Sequence, residues 1–386
     1  MKAWPTFALG DLLQRSNEAA VLAPDAEYHE VTIKLWGKGV VSRGKVRGSD
    51  VVTVRRAVRA NQLILSKIDA RNGAIGMVPS ELDGAIVSND FPSFDFRDLR
   101  RCDPAFMGWL VRSTPFVALC KAASEGTTNR VRIREDRFLA KQIALPPLAE
   151  QQALVARLDA LAEKTRQLEA HLDAAERDAE HLLALRFRDA IANAPMRTMA
   201  EVAPAVRRPV NIDIETRYRE VGARSFGKGL FLKPDFDGAE ATWQKPVWIK
   251  SGDLVLSNIK AWEGAIAIAG DEHDGCIASH RYITCLPEPE QATAGFLAYY
   301  LLSEDGLEKV GAASPGTADR NRTLSLGNLG KIEVPIPPLP IQQSFNRLQT
   351  EVAALKAKHD AIRAANASLL PATLERVFST GGAAYA

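Results

Sequence analysis

The 386-residue chain has few of the features that mark membrane, secreted or strongly cationic proteins. Four scattered cysteines are too few for a disulfide framework, which predicts a reduced, cytoplasmic setting. No apolar run reaches the length of a membrane span, and the N-terminus lacks the apolar core of a signal peptide. The net charge of +2 excludes a polycation that coats nucleic acid. This composition is typical of a globular protein with two or three domains.

Motifs of the common DNA-modifying and nucleotide-hydrolysing enzymes are also missing. A methyltransferase needs a glycine-rich cofactor loop and an (Asp/Asn)-Pro-Pro-(Tyr/Phe) motif, whereas the Pro-Pro pairs here lie in ALPPL and PIPPL. We find no Walker phosphate loop, no nuclease-like carboxylate cluster with Glu-x-Lys, and no catalytic triad at motif spacing. We therefore expect no catalytic residue on this chain.

The chain does contain two copies of one unit of roughly 190 residues. YHEV at 28–31 matches YREV at 218–221, and WGKG at 36–39 matches FGKG at 226–229. LILSKIDARNGAI at 63–75 matches LVLSNIKAWEGAI at 254–266, and ALPPLAEQQ at 144–152 matches PIPPLPIQQ at 335–343. The offset changes only from 190 to 191, so a duplication is far more probable than chance.

Each copy begins with a globular α/β segment. Short apolar runs at 63–65, 85–87, 247–249 and 254–256 predict strands, while 106–119 and 295–302 predict helices. We expect an α+β fold with two tandem α/β domains, at 1–145 and 193–336, each followed by a long helix. The helices are predicted at 146–192 and 337–379, with a flexible tail at 380–386.

The two long helices carry apolar residues in steps of three and four, which is typical of a coiled-coil seam. In the first helix the predicted seam is Leu154, Leu158, Leu161, Thr165, Leu168, Leu172, Ala175, Ala179 and Leu182. In the second it is Phe345, Leu348, Val352, Leu355, His359, Ile362, Asn366 and Leu369. Each helix would span on the order of 55–65 Å. Their natural partners are each other, as an antiparallel coiled coil in which Thr165, His359 and Asn366 either set the register or are merely tolerated.

An antiparallel pair would place the two globular segments at opposite ends of a rod, related by a pseudo-two-fold axis. Double-stranded DNA has two-fold axes of that kind, so two related segments could contact two separated half-sites. The charge distribution favours such a role. Residues 31–60 carry eight cations against Asp50 alone, and a second basic stretch covers 121–141. Each run taken alone is also compatible with a solvated face.

We expect DNA contacts from residues with phosphate-binding and base-binding side chains. In the first copy these candidates are Lys34, Lys38, Arg43, Lys45, Lys67, Arg71, Asn72 and Arg130. In the second copy they are Arg224, Lys228, Lys233, Asn258, Lys260, Trp262, Arg281 and Arg320. For Trp36 and Trp262, packing is favoured over stacking on a base.

Four metal-binding residue types lie close together in the second copy, at His273, Cys276, His280 and Cys285. Their spacing is irregular and the first copy has no ligands at the matching positions, so we expect no metal site. His280 and Arg281, which align with Asn89 and Asp90, are better explained as residues that differ between two half-site contacts.

The sequence resembles the specificity (S) subunits of Type I restriction–modification systems. The resemblance rests on ALPPLAEQQALVARLDAL and PIPPLPIQQSFNRLQTEV and on the paired LxLSxIxAxxGAI segments, and it spans nearly all of residues 1–378. The start of the second helix departs from the first, with Pro340 and Ile341 in place of Ala149 and Glu150, so we expect it to be built differently.

The resemblance implies a non-catalytic subunit of a bacterial defence enzyme. It would bind a bipartite, asymmetric site in double-stranded DNA and recruit two modification (methyltransferase) subunits, joined by two ATP-dependent restriction subunits in systems that also cleave. S-adenosylmethionine, ATP and Mg would bind to those partners, with no cofactor on this chain. The exposed helix face at Arg157, Glu163, Arg166 and Glu169 would dock the modification subunits.

Three alternatives stay open. The chain could be a self-sufficient methyltransferase or nuclease, against which the missing motifs argue. It could be an adaptor that does not bind DNA, with solvated basic runs. It could also be an S-like subunit that serves methylation alone, without a nuclease partner.

Overall fold

A computed structural model describes residues 4–126, 131–241, 245–316 and 321–380. They form two compact units, of which unit 1 comprises the described residues up to Leu172 and from His359 onward. Unit 2 comprises Asp173–Lys358. The unit boundary divides both long helices, so each unit contains one globular segment and part of each helix. No helix in the described ranges is long and apolar enough to cross a membrane.

The first repeat supplies short strands, short helices and one long helix. Its strands are β1 (Thr6–Ala8), β2 (Leu13–Ser16), β3 (Glu27–Ile33), β4 (Val40–Arg47), β5 (Arg56–Ala57), β6 (Leu63–Leu65), β7 (Ile75–Met77), β8 (Ile86–Val87), β9 (Ser93–Phe96), β10 (Ser124–Glu125), β11 (Arg132–Ile133) and β12 (Gln142–Ala144). Its helices are α1 (Leu9–Leu12), α2 (Pro104–Leu110), α3 (Thr114–Ala122), α4 (Glu135–Leu139) and α5 (Leu148–Ile191).

The second repeat supplies similar elements, although no described strands correspond to β10 and β11. Its strands are β13 (Met196–Thr198), β14 (Ala205–Val206), β15 (Arg217–Tyr218), β16 (Val221–Ala223), β17 (Leu230–Leu232), β18 (Phe236–Asp237), β19 (Val247–Trp248), β20 (Leu254–Ser257), β21 (Ile266–Ile268), β22 (Ile277–Ala278), β23 (Tyr282–Cys285) and β24 (Glu333–Pro335). Its helices are α6 (Met199–Val202), α7 (Ala294–Leu301), α8 (Glu304–Ala312), α9 (Leu326–Gly330) and α10 (Leu339–Thr380).

The strand pairing repeats along with the sequence. In unit 1 an antiparallel sheet has the order β2-β9-β6-β7, and in unit 2 its counterpart has the order β14-β23-β20-β21. The register is also equivalent, since Leu65 pairs with Ile75 and Leu256 pairs with Ile266. β1 pairs with β12, and β13 pairs with β24. The duplication and the α+β class predicted from the sequence are therefore confirmed.

The sheet that contains β3 and β4 differs between the repeats. In unit 1 the order is β4-β3-β8-β5, with β3 and β8 parallel, and β3 and β4 form a long hairpin with a bulge after Glu30. In unit 2 the equivalent hairpin is divided into the pairs β15–β18 and β16–β17. Pro234 lies at the break, where it has no N–H to donate to a strand ladder.

The predicted single helix at 106–119 is in fact two helices, α2 and α3. Ser113 caps the second one, because its hydroxyl accepts from the Phe116 N–H, and Pro115 lies in the first turn. A Ser-x-Pro sequence of this kind starts a helix more readily than it continues one. The apolar spacing alone did not reveal this break.

The globular segment of each unit packs on both long helices. In unit 1 Phe106 of α2 contacts Phe378 of α10 at 5.6 Å between ring centroids, and Leu158 of α5 lies in the same core. In unit 2 Phe187 of α5 lies 5.2 Å from Phe296 and 5.3 Å from Phe345. Rings and branched side chains thus bury the apolar faces that the helices would otherwise expose.

The helices pair antiparallel within each unit. In unit 1 the Asn366 amide donates to the Thr165 carbonyl at 3.2 Å and to the Glu169 carboxylate at 2.7 Å. In unit 2 Lys356 Nζ lies 2.5 Å from Glu180 Oε1. In both units an early part of one helix meets a late part of the other, as the sequence predicted.

Of the 17 predicted seam residues, 12 are buried or half-buried and five are exposed. The heptad series of Leu158, Thr165, Leu172 and Ala179 is buried or half-buried. Several side chains of the companion series are instead exposed, namely Leu168, Ala175, Leu182, Ile362 and Leu369. The residues one position later lie inward, namely Glu169, Glu176, Leu183, Arg363 and Leu370. Leucine spacing missed this phase because the contact includes an Arg363–Glu169 ion pair, at 3.5 Å.

One buried glutamine lies at the start of each long helix. The Gln151 side chain is fully buried, and its oxygen accepts from the Asp103 N–H at 2.9 Å. Its amide nitrogen donates to the carbonyls of Arg101 and Pro146, both at 2.8 Å. The amide therefore ties the loop before α2 to the Pro-Pro segment before α5.

Gln342 repeats this arrangement in unit 2. It accepts from the Thr293 N–H at 3.0 Å and donates to the carbonyls of Gln291 and Pro337, both at 2.8 Å. α10 begins at Leu339, equivalent to Leu148, so the expectation of a differently built helix start was wrong. Pro340 fits there because the first helical turn has no partner for its missing N–H.

Replacing Gln151 by leucine should destabilise the protein, because one N–H and two carbonyls lose their partner in the interior. The free energy of unfolding should fall by about 2 kcal/mol or more, measured by urea titration. Gln152→Leu is the matched control, since Gln152 is exposed. An equal loss in both variants would contradict the role given to the Gln151 amide.

Candidate nucleic-acid interface

The aromatic-Gly-Lys-Gly turn of the first repeat is joined to a second turn by backbone hydrogen bonds. The Trp36 N–H donates to the Asn72 carbonyl and the Gly37 N–H to the Gly73 carbonyl, both at 3.0 Å. Gly73 has a positive φ of 78°, and a Cβ there would lie 3.1 Å from the Trp36 backbone. Only glycine allows this close approach. Residues 34–39 and 69–73 are called turn pair 1.

The second repeat builds the same arrangement. The Phe226 N–H donates to the Glu263 carbonyl at 2.8 Å, and the Gly227 N–H donates to the Gly264 carbonyl at 2.9 Å. The Glu263 carboxylate accepts from the Ser225 hydroxyl at 3.0 Å and from Lys260 at 2.6 Å. Residues 224–229 and 260–264 are called turn pair 2. Within each unit the aromatic-Gly-Lys-Gly motif thus meets the LxLSxIxAxxGAI motif. The two copies of this arrangement are about 190 residues apart in sequence.

The turn pairs gather half of the candidate DNA-binding residues. Turn pair 1 contains Lys34, Lys38, Arg71 and Asn72. Lys34 and Lys38 are exposed, and neither forms an ion pair with another described residue. Turn pair 2 contains Arg224, Lys228, Lys260 and Trp262. Unpaired, exposed cations on a rigid turn are suited to phosphate contacts.

Aromatic rings support several cations in unit 2. The Arg224 guanidinium lies 4.7 Å from the Phe231 ring, and Lys260 lies 5.4 Å from the Trp262 ring. Arg322 stacks on Trp262 as well, at 4.7 Å, although the sequence analysis did not select it. Trp262 is half-buried and packs, as expected. Trp36 is 70% exposed, so the expectation that it packs was wrong.

The other candidates lie outside the turn pairs. Arg43 and Lys45 lie on β4, where Lys45 faces Glu27 at 3.5 Å. Lys67 binds Glu135 and Lys233 binds Glu220, each at 2.8 Å. Arg281 is exposed beside the first residue of β23. Arg130 and Arg320 lie outside the described residues.

Many cations of the two basic runs are held by acids. Arg55 binds Glu30 at 3.1 Å, and Arg59 binds Glu18. In the second run Arg132 binds Asp90 at 2.7 Å, Arg134 binds Asp136, and Arg137 binds Glu125. These pairs lie at the surface, where ion pairs contribute little stability. The solvated-face interpretation therefore fits much of both runs, whereas Lys34, Lys38 and Lys228 of the turn pairs form no ion pair with a described residue.

The repeats differ most at one set of equivalent positions. In unit 1 Arg15 and Lys67 both bind Glu135, at 2.9 and 2.8 Å. In unit 2 the equivalents are Ala205, Asn258 and Leu326, which line a cavity of about 290 Å³.

The same cavity is bordered by Asn258, whose Oδ1 is buried and accepts no hydrogen bond from a described residue. Such an acceptor costs about 1–3 kcal/mol when it has no partner. The unit 2 domain thus has a polar recess where the unit 1 domain has an ion cluster. Asn89 and Asp90, which align with His280 and Arg281, also have partners in unit 1. Arg56 binds the Asn89 side chain and Arg132 binds the Asp90 side chain.

The four metal-binding residue types of the second repeat are spread over a short 3-10 turn that ends at His273, the loops on either side of β22, and strand β23. His273 is buried, and its Nδ1 accepts from the Gly270 N–H at 3.1 Å. Cys285 lies on β23 and is 1% exposed, whereas His280 is exposed. Within the described ranges no three His, Cys, Asp or Glu side chains are placed to hold one metal ion.

The candidate docking residues lie on α5. Arg157 is exposed, and Arg166 and Glu163 bind each other at 2.7 Å. The hydrogen bond from Arg166 holds the pKa of the Glu163 carboxyl below its ordinary value. Glu169 differs from these three, because its carboxylate is bound by Asn366 and Arg363 within the helix pair.

Comparison with known proteins gives matches among solved structures, whereas no family model and no curated protein matches the chain. The crystal structure of the HsdS subunit from Thermoanaerobacter tengcongensis is 20% identical, with a TM-score of 0.64 over 98% of this chain and 97% of that one. A chain from a study of complex assembly and conformational transition of the type I R-M system is 20% identical, with a TM-score of 0.69 over 98% of both chains. This chain has the fold of a Type I S subunit.

The S-subunit fold confirms the resemblance drawn from the paired Pro-Pro-Leu-x-x-Gln-Gln motifs. The structure adds the reason for those motifs, since their first glutamine is the buried Gln151 or Gln342. The likeness at 20% identity concerns the fold, and it covers both repeats and both long helices. The turn pairs are therefore sites within an S-subunit fold.

The buried cysteines should be unreactive in the folded protein. Burial raises the pKa of Cys102, Cys120 and Cys285 to about 12, and it raises the pKa of Cys276 as well. A thiol with a pKa near 12 has only about one thiolate in 10⁴ at pH 8. Iodoacetamide should therefore label none of these three at pH 8, and all of them after unfolding, as measured by mass spectrometry. Fast labelling of native Cys285 would contradict its burial.

Proposed function

We propose that this chain is the sequence-specific DNA-binding subunit of a Type I restriction–modification complex. It binds a bipartite, asymmetric site in double-stranded DNA, with one half-site for each globular domain. It recruits two adenine-methyltransferase subunits, which carry S-adenosylmethionine. Systems that cleave add two restriction subunits, which carry ATP and Mg. The chain itself supplies no catalytic group.

The observation that carries this proposal is the duplicated turn pair within an S-subunit fold. Both units place an aromatic-Gly-Lys-Gly turn beside a second cationic turn, through equivalent backbone hydrogen bonds. The residues around these turns differ between the units, with an Arg15–Glu135–Lys67 cluster in one and the Asn258 cavity in the other. A shared phosphate-binding element with different neighbours fits two related domains that bind two different half-sites.

The proposed DNA-contacting residues keep the full set of candidates, with different roles. Phosphate contacts are assigned to Lys34, Lys38, Arg43, Lys45, Arg71, Arg130, Arg224, Lys228, Lys260 and Arg320. Base-edge contacts are assigned to Asn72, Asn258 and Arg281, whose side chains have the donors and acceptors for major-groove hydrogen bonds. Lys67, Lys233 and Trp262 are assigned to holding these surfaces in place: Lys67 binds Glu135, Lys233 binds Glu220, and Trp262 packs against Lys260 and Arg322.

The proposed docking surface for the modification subunits is the exposed side of α5. Arg157, Glu163 and Arg166 are exposed residues of α5 and offer charge of both signs. Glu169 contributes through the helix pair that supports this face. Since the globular segments pack on the same helices, a docked methyltransferase would lie next to a bound half-site.

Co-expression with modification subunits of a Type I system, followed by single-molecule mapping of methylated adenines, tests the proposal. We expect one split sequence with an invariant gap between its halves. Scattered or absent methylation would contradict DNA specificity and favour an adaptor that does not bind DNA. Methyl transfer or cleavage by the isolated chain would contradict the non-catalytic role.

The DNA affinity of the assembled complex should depend less on salt when Lys34 and Lys38 of turn pair 1 are replaced. For a Lys34→Ala/Lys38→Ala variant on the mapped site, the slope of log K against log salt should become less negative by about 0.9 for each lost phosphate contact. Arg100→Ala is the control, since Arg100 is exposed in the same repeat but bound to Asp98 at 3.3 Å. An unchanged slope in the double variant would remove Lys34 and Lys38 from the interface.

A further inference from the structure

Each turn pair exposes one aromatic side chain at the same place. Trp36 is 70% exposed and Phe226 is 75% exposed, and the two align in the repeated aromatic-Gly-Lys-Gly turn. No other aromatic side chain in the described ranges reaches this degree of exposure. Large aromatic side chains normally contribute to folding by being buried, so these two contribute little packing to their own units.

Both aromatic residues also have an unfavourable backbone conformation. Trp36 has a φ of 60° and Phe226 a φ of 63°, in the left-handed region that favours glycine. A bulky side chain in this region is uncommon and costs stability, and such strain is found mainly at functional sites. The backbone hydrogen bonds of Trp36 to Asn72 and of Phe226 to Glu263 hold the strained turns in place. In both units, therefore, a strained turn holds an aromatic ring exposed to solvent.

The surroundings of the rings identify the ligand chemistry. Lys34 and Lys38 flank Trp36, and the Lys228 ammonium lies 5.8 Å from the Phe226 ring. A flat apolar ring can stack on an apolar, planar group of a ligand, and the neighbouring cations can bind negative charges beside that group. Duplex DNA has stacked base pairs flanked by phosphates, whereas an apolar protein partner would give the lysines no matching charge.

We propose that Trp36 and Phe226 are wedge residues, each inserted between two stacked base pairs of its half-site, with the flanking lysines on the adjacent phosphates. This rests on the proposed function and adds a contact that the cations alone do not make. Apolar side chains inserted in this way unstack a base step and kink the duplex. Pyrimidine–purine steps unstack most easily, so the wedges would favour such steps without forming hydrogen bonds to them.

The test uses the complete complex with modification subunits and a duplex that carries its mapped site. 2-Aminopurine is placed at successive positions of each half-site, because its fluorescence rises when its base step is unstacked. Apart from the adenine that a methyltransferase takes out of the stack, we expect one further bright position, the wedge signal, in each half-site. Trp36→Gly should abolish the signal in one half-site only and Phe226→Gly in the other, with a loss of affinity of about tenfold or more in each case.

Glycine is chosen because it relieves the backbone strain. The melting temperature of Trp36→Gly and Phe226→Gly should therefore stay unchanged or rise, so that loss of binding cannot be a folding defect. Trp36→Phe should retain the fluorescent signal. Leu99→Ala and Ile214→Ala are matched controls, since these exposed apolar residues lie in the same repeats at 61% and 69% exposure.

The outcomes separate the wedge from the proposed function. If the complex binds its site but no such further position brightens, or the wedge signal persists in both glycine variants, the wedge is overturned and DNA recognition stands. If the glycine variants lose their modification subunits, the aromatic residues contact protein and the wedge is again overturned. If the wild-type complex shows no preference for any duplex, both the wedge and the proposed function fail.

Discussion

The position of each globular segment on its long helix depends on one buried amide. Gln151 and Gln342 each accept from a backbone N–H of the globular segment and donate to two carbonyls, one of them in the Pro-Pro segment. A buried amide has to satisfy its donors and acceptors together, so only one placement of the loop against the helix start fulfils the geometry. The aromatic contacts around Phe106 and Phe296 add apolar burial to a placement that the amides specify.

The two repeats share the backbone arrangement of the turn pairs, which is called the common frame, and they differ in the side chains around each candidate site. The turn pairs use the same backbone hydrogen bonds in both units. Next to them, a cluster of Arg15, Glu135 and Lys67 in unit 1 corresponds to a cavity beside Asn258 in unit 2. Arg15, Lys67 and Glu135 correspond to Ala205, Asn258 and Leu326, while the sheet order around them is equivalent in both units. The proposed wedges belong to the common frame, whereas base-edge contacts belong to the divergent part.

Much of the fold could be predicted, and the errors have identifiable physical causes. Strand β6 was predicted at its observed bounds, because Leu63–Leu65 is a short apolar run between turn residues. The prediction of one helix at 106–119 was wrong, because the Ser113 cap starts a new helix within this apolar run. Five seam positions were wrong, since charged side chains that neutralise each other can occupy a helix contact. Trp36 was wrongly expected to pack, because sequence patterns report hydrophobicity but not a positive φ.

By itself, the sequence determined the duplication, the α+β class, the antiparallel helix pair and the resemblance to S subunits. The first three follow from local periodicity and from self-comparison, and the last from motifs shared with a known family. Only the tertiary structure decided which cations are free, because ion pairs such as Lys67–Glu135 join residues far apart in sequence. It alone showed that two distant motifs form each turn pair and that Trp36 and Phe226 are exposed. Ion-pair partners, burial and backbone strain depend on which residues are neighbours in space, and the order of residues along the chain does not specify those neighbours.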